Sequence, residues 1–325
     1  MPTSSTAAER SRKPGALYAG ERRLARVMIA PTLALMAVVA AYPIGYAIWL
    51  SLHQYSRTQA GASRWVGFEN YSAALFGDTS GFAAAAGIAS SDFWAAFWHT
   101  IVFAVISVGL ELLIGLGMAL IMNAAFRGRA LLRATILVPY AVLTIVSAIV
   151  WQTFTETGTG FVPQVLDALG LPGADRVRLA STPDAMAIVI LADVWKTAPF
   201  MALLLLAGLQ GIPKDLYEAA RVDGASNWQQ FKRITLPLLR PAIAVALIFR
   251  TLDALRVFDL PWVLTRGEYG TSTLSTEAYK TFSSQQLIGP GAALSVLTFV
   301  IVMAVSLFYI RFIGGNLRDA TSEGR

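Results

Sequence analysis

The sequence contains no cysteine and only two histidines in 325 residues. Disulfides, thiolate metal sites and thiol nucleophiles are therefore excluded. The histidines, His53 and His99, stand at opposite ends of one loop region. They read as loop side chains near a membrane surface, and no metal site is expected. Charge is also scarce: 14 % of residues are charged and 55 % are apolar, whereas about a quarter charged is usual for a soluble domain. No GxxxxGK[ST] pattern occurs, so the chain has no phosphate-cradling loop of its own. No nucleophile–base spacing is recognisable either, which argues against an enzyme.

The apolar residues are gathered into six long runs, at about 27–51, 99–123, 133–153, 185–210, 239–263 and 290–313. Each is long enough to cross a bilayer core of about 30 Å, which takes roughly 20 helical residues. The expected fold class is an all-α polytopic membrane protein with six transmembrane helices. Residues 1–22 read as a disordered tail, 23–315 as the membrane domain, and 316–325 as a C-terminal tail. The net charge of +6 is unevenly placed. The tail, the 124–132 turn with its flank, the 211–240 loop and the C-terminus hold 17 Lys and Arg, and the three alternate loops hold six. By the positive-inside rule both termini and the 211–240 loop face the cytoplasm. The basic balance is thus a topology signal, and a nucleic-acid partner is not expected.

The 211–240 loop is a polar island between apolar runs. It reads Glu218-Ala219-Ala220, three residues, Gly224, nine residues, then Ile234-Thr235-Leu236-Pro237. The residue types predict two short helices joined by a turn. Asp215 can cap the first, and Gly224 supplies the left-handed turn after it. Ser226 and Gln229 form a capping box for the second. Trp228, Phe231 and Ile234 fall on one of its faces, and Pro237 closes the unit. An interfacial linker helix would carry the same amphipathic pattern.

Seven charges lie within the runs: Glu111, Asp193, Lys196, Arg250, Asp253, Arg256 and Asp259. A charge at mid-bilayer costs several kcal/mol, so such groups pair or line a polar cavity. Asp193 and Lys196 are spaced to pair with each other. Arg250, Asp253, Arg256 and Asp259 alternate in sign at spacing three. On one continuous helix they wind around the axis and cannot all face one pore. Ion pairs that lock helices and contacts to a transported substrate are both open to these groups.

The spacing of the 211–240 loop resembles the EAA loop of binding-protein-dependent ABC importer permeases. Further matches lie in Val138-Pro139-Tyr140-Ala141-Val142, in Asp193-Val194-Trp195-Lys196-Thr197-Ala198-Pro199-Phe200, and in Phe258-Asp259-Leu260-Pro261. Over residues 25–315 the chain is similar to the first permease subunit of maltose-type sugar importers, with the trehalose importers nearest. The resemblance implies a type I ABC importer permease in a bacterial plasma membrane. It implies a second homologous permease, a cytoplasmic ATPase dimer and an extracytoplasmic sugar-binding lipoprotein as partners. No cofactor is expected in this chain, with ATP and Mg on the ATPase. It assigns coupling to Glu218, Ala219, Ala220, Gly224, Trp228, Phe231, Ile234 and Pro237. It assigns substrate binding to Tyr140, Thr144, Asp193, Lys196, Thr197, Phe200, Arg250 and Ala254. The charges at 193, 196 and 250 depart from the maltose pattern. They leave a glycerol phosphate importer as a competitor, and an ion-coupled secondary transporter as a more distant one.

Overall fold

The computed structural model describes residues 14–56, 63–77, 90–124, 127–156, 159–170 and 182–322. Residues 1–13 of the expected tail lie outside them. The chain divides into two compact units, Met1–Trp49 and Leu50–Arg325.

The first unit is helical from Pro14, so residues 14–22, expected to be irregular, form helix instead. Helix α1 (Pro14–Met36) passes through a π-helical turn, Ala37–Ala41, into α2 (Tyr42–Ser51). Among its described side chains, Val39 and Tyr42 are exposed.

The second unit opens with a small antiparallel pair, β1 (His53–Gln54) and β2 (Arg64–Trp65), with His53 opposite Trp65. Helix α3 (Glu69–Phe76) follows, held by Asn70, whose amide donates to the carbonyls of Ser51 and His53. The long α4 (Ser90–Asn123) buries one stripe, including Phe93, Ala96, Thr100, Phe103, Ser107, Glu111, Gly115 and Ala119. These recur every three or four residues, the period of one helix face.

Helices α5 (Arg129–Ala141) and α6 (Thr144–Phe154) occupy the third apolar run. They meet at a bend of 91° rather than forming one straight span. Helix α7 (Phe161–Ala168) leads toward α8 (Thr182–Gln210), the central span. In α8, 72 % of the apolar stretch is buried, against 22–33 % in the three other unbroken spans of the second unit. Helices α9 (Lys214–Val222) and α10 (Asn227–Gln230) follow in the 211–240 loop. A π-helical turn, Phe231–Thr235, then runs directly into α11 (Leu236–Ala254).

Pro237 therefore does not close the loop; it sits in the first turn of α11. The π turn resets the hydrogen-bond pattern just before it, where the missing N–H costs little. The fifth helix also stops nine residues before the expected end at 263. It ends at Ala254, and after the short link 255–258 a separate α12 (Asp259–Thr265) begins. Helices α13 (Leu274–Tyr279) and α14 (Ile288–Ser322) complete the described chain, α14 extending past the expected boundary at 315. Among the described residues, five helices are long and apolar enough to cross a membrane, and the bent pair makes six.

Helices α4, α8 and α11 pack on one another to form the main core. Their close approach needs small residues. A Cβ added at Gly208 of α8 would lie 2.4 Å from Ala242 Cβ of α11.

Candidate functional site

Each of the three core helices brings one charged residue to the same buried point. Glu111 comes from α4, Asp193 from α8 and Arg250 from α11, and they are 0 %, 5 % and 2 % exposed. Every nitrogen of the Arg250 guanidinium is engaged. Its Nε donates to Glu111 Oε2 at 2.5 Å, and its Nη2 donates to Glu111 Oε1 at 2.7 Å and to Asp193 Oδ2 at 3.0 Å. Its Nη1 reaches Asp253 Oδ2 at 2.5 Å. The planar fork of Arg suits this bidentate grip on a carboxylate. Thr197 completes the cluster: its hydroxyl lies 2.7 Å from Glu111 Oε1 and 2.6 Å from the Asp193 carbonyl. In an apolar interior these ions persist because each is paired and hydrogen-bonded.

The expected pairing of Asp193 with Lys196 is not made. Arg250 occupies the Asp193 carboxylate, and Lys196 Nζ instead donates to the carbonyl of Val142 at 2.8 Å. That carbonyl lies at the bend between α5 and α6, where Val142 is extended (φ −74, ψ 138). Non-helical backbone at membrane depth needs such a partner. Lys196 Nζ also sits 5.8 Å from the centre of the Tyr140 ring, which stacks on Phe200 at 5.4 Å.

Beside the cluster lies a cavity of about 290 Å³, near the lower end of the roughly 300–1,000 Å³ usual for ligand sites. Seven of the eight residues named from the sequence line it: Tyr140, Thr144, Asp193, Lys196, Thr197, Arg250 and Ala254. Phe200 does not, and acts on the cavity only by backing Tyr140. Asp253, Arg256 and Asp259 line it as well. This corrects the expectation that four charges at spacing three cannot face one space. That expectation assumed a continuous helix, and the break after Ala254 turns the chain back around the cavity. Glu111 is the member that sequence reasoning left out of the site. Its position in an apolar run was the available signal, but its alignment with Arg250 is a product of packing.

The 211–240 loop folds as two helices around a turn at Gly224 (φ +76). Gly224 N donates to Arg221 O and Ala225 N to Ala220 O. No side chain caps α9; its N-cap is Pro213, and Asp215 lies within the first turn instead of ahead of it. The second helix has the capping box: Gln229 N donates to Ser226 Oγ and Ser226 N to Gln229 Oε1. Trp228 and Phe231 stack at 5.5 Å, with Trp228 69 % exposed. Ile234 packs on the core. Glu218 and Ala219 are exposed and Ala220 is half-buried. A hydrogen bond of 2.9 Å between Tyr217 and Thr235 ties α9 to the foot of α11.

The family model described as "Binding-protein-dependent transport system inner membrane component" matches residues 111–314, from the buried glutamate to the last span. The chain belongs to this family. It is an ABC transporter permease, a multi-pass inner-membrane transport subunit and not an enzyme. The permease is 38 % identical to the trehalose transport system permease protein SugA of Mycobacterium tuberculosis, over 94 % of this chain and 93 % of that one. It is 42 % identical to the trehalose/maltose transport system permease protein MalF of Thermococcus litoralis, over 92 % of this chain and 96 % of that one. Its fold matches a permease chain in the crystal structure of a bacterial alginate ABC transporter in complex with alginate pentasaccharide-bound periplasmic protein. That match has a TM-score of 0.73 at 23 % identity and covers 90 % of this chain and 94 % of that one.

Proposed function

We propose that this permease carries a neutral disaccharide of the trehalose class through the space beside Arg250. The observation that carries the reading is the charge state of the cavity lining. Three carboxylates (Asp193, Asp253, Asp259) face three cations (Lys196, Arg250, Arg256), and each cation already has a partner. Arg250 holds carboxylates, Lys196 holds Val142 O, and Arg256 Nε donates to Leu252 O at 3.1 Å. Among the described residues only Arg250 is ion-paired, but the three acids offset the three cations of the lining, and a space with no net positive charge disfavours glycerol phosphate. Hydroxyl groups of a sugar fit a lining of engaged polar groups, and the Tyr140 ring offers a face for stacking. The trehalose systems named above supply the substrate class.

The sugar would arrive from an extracytoplasmic binding lipoprotein, and the pore would be shared with a second homologous permease. A cytoplasmic ATPase dimer, holding ATP and Mg, would grip Glu218, Ala219, Ala220, Gly224, Trp228 and Phe231 on the loop. The excess of Lys and Arg on that side supports a cytoplasmic loop and cytoplasmic termini. Coupling then follows from helix geometry. Thr235, tied to α9, and Arg250, at the cavity, lie on one helical run, about 22 Å apart at 1.5 Å per residue. A displacement of the loop is carried along this rod to the cluster. ATP drives the change only through its different affinity for the two states.

The test is ATPase activity of the complex reconstituted with its companion permease, ATPase and binding protein. Trehalose is expected to stimulate hydrolysis and glycerol 3-phosphate is not. Stimulation by glycerol 3-phosphate alone would overturn the substrate reading. Failure to assemble with any ATPase would overturn the coupling role.

A further inference from the structure

A second cavity, of about 480 Å³, lies at the loop end of the core, away from Arg250. Four cations line it: Arg129 and Arg133 from the first turns of α5, and Lys214 and Arg221 from α9. Its other described lining groups are apolar or neutral, and no carboxylate is among the described residues that line it. Among the described residues, none of the four makes an ion pair. Arg133 is half-buried and spends its Nε and Nη2 on one carbonyl, Met122 O, at the last turn of α4.

Helix α9 is sorted by charge around its axis. Lys214, Tyr217 and Arg221, at spacings of three and four, line the cavity. Asp215 and Glu218, also three apart, are exposed and absent from the lining. The acids thus stand clear of the cavity, although each lies within three residues of one of its cations. The cavity also reaches Leu120 near the end of α4 and Leu209 near the end of α8, where apolar spans give way to polar loop. That is the depth of a lipid headgroup, and basic pockets between helices on the cytoplasmic side are of the kind that bind anionic headgroups.

We propose that this cavity binds a phosphate-bearing anion, in the membrane the headgroup of an anionic phospholipid, behind the coupling loop. The lipid source rests on the cytoplasmic orientation given above; the anion site rests on the cavity alone. A headgroup held here would touch α5 and α9 together. It would supply the negative charge that four cations in one cavity otherwise lack.

The experiment is phosphatidylglycerol titration of the delipidated, detergent-purified importer complex, read by native mass spectrometry. A parallel arm measures inorganic phosphate by equilibrium dialysis. The R129Q/R221Q double variant is expected to lose about 30-fold in affinity for phosphatidylglycerol, at about five- to sixfold per charge. The charge-conserving R129K/R221K variant is expected to retain binding and controls for misfolding. Phosphate binding that the double variant abolishes would support the anion site and assign its occupant to solution. Equal binding of both anions to wild type and double variant, or binding of neither to wild type, would overturn the site. Sugar-stimulated ATPase activity of the same wild-type preparation reads the transport role separately.

Discussion

Arg250 beside the first cavity of this permease and the cations of the second are handled in opposite ways. Beside the first, Arg250 is buried and its donors are distributed over Glu111, Asp193 and Asp253. Around the second, Arg129, Lys214 and Arg221 are exposed and none is ion-paired among the described residues. Depth explains the difference. Within the apolar core an uncompensated charge costs several kcal/mol, so the chain must supply its own counter-charge. At the loop end, water or an external anion can do so. The inner cluster is therefore part of the fold, while the outer one is available for binding.

This contrast predicts a graded series of stability effects. The largest belongs to R250M, which strands two buried carboxylates and should cost about 3–5 kcal/mol. It would be read as loss of yield and a lower thermal midpoint of the purified complex, and adding E111L should recover part of the loss. T197V comes next. It removes the hydroxyl from Glu111 and should cost about 1–3 kcal/mol, because a buried acceptor loses a partner; the same thermal measurement checks it. D253N should cost under about 1 kcal/mol, since the Asp253 side chain is 65 % exposed and Arg250 keeps Glu111 and Asp193. R129Q, in lipid-free detergent, should stay within about 0.5 kcal/mol of wild type. An R129Q effect as large as that of R250M would erase the distinction between the two cavities.

What the sequence makes legible follows the range of the interactions. In the 211–240 loop the determinants are local. The Gly224 turn and the Ser226–Gln229 capping box each depend on residues within a few positions, and both stand in the structure as the spacing predicts. The family resemblance, carried largely by fixed spacings, is legible for the same reason. The convergence on Arg250 depends on contacts 57 and 139 residues apart, and no local pattern announces them. Local spacing offered Lys196 to Asp193 as a partner, but Asp193, though three residues away, is held by a distant arginine. The bend at Val142 had a partial signal in Pro139, but its stabilising partner, Lys196, lies 54 residues on. The end of α11 at Ala254 falls among Arg250, Asp253, Arg256 and Asp259; that density of charge was a signal for a break, which the assumption of one continuous helix passed over.

The uninterrupted run from the π turn through α11 also restricts how this protein can change its length. Each residue inserted between Thr235 and Arg250 would rotate the arginine by about 100° relative to the loop and move it about 1.5 Å along the axis. A single insertion would point the guanidinium away from Glu111 and Asp193. Seven would nearly restore its phase but shift it about 10 Å, beyond their reach. The spacing between loop and cluster is thus fixed in both angle and distance, and changes of length can be absorbed only outside this segment.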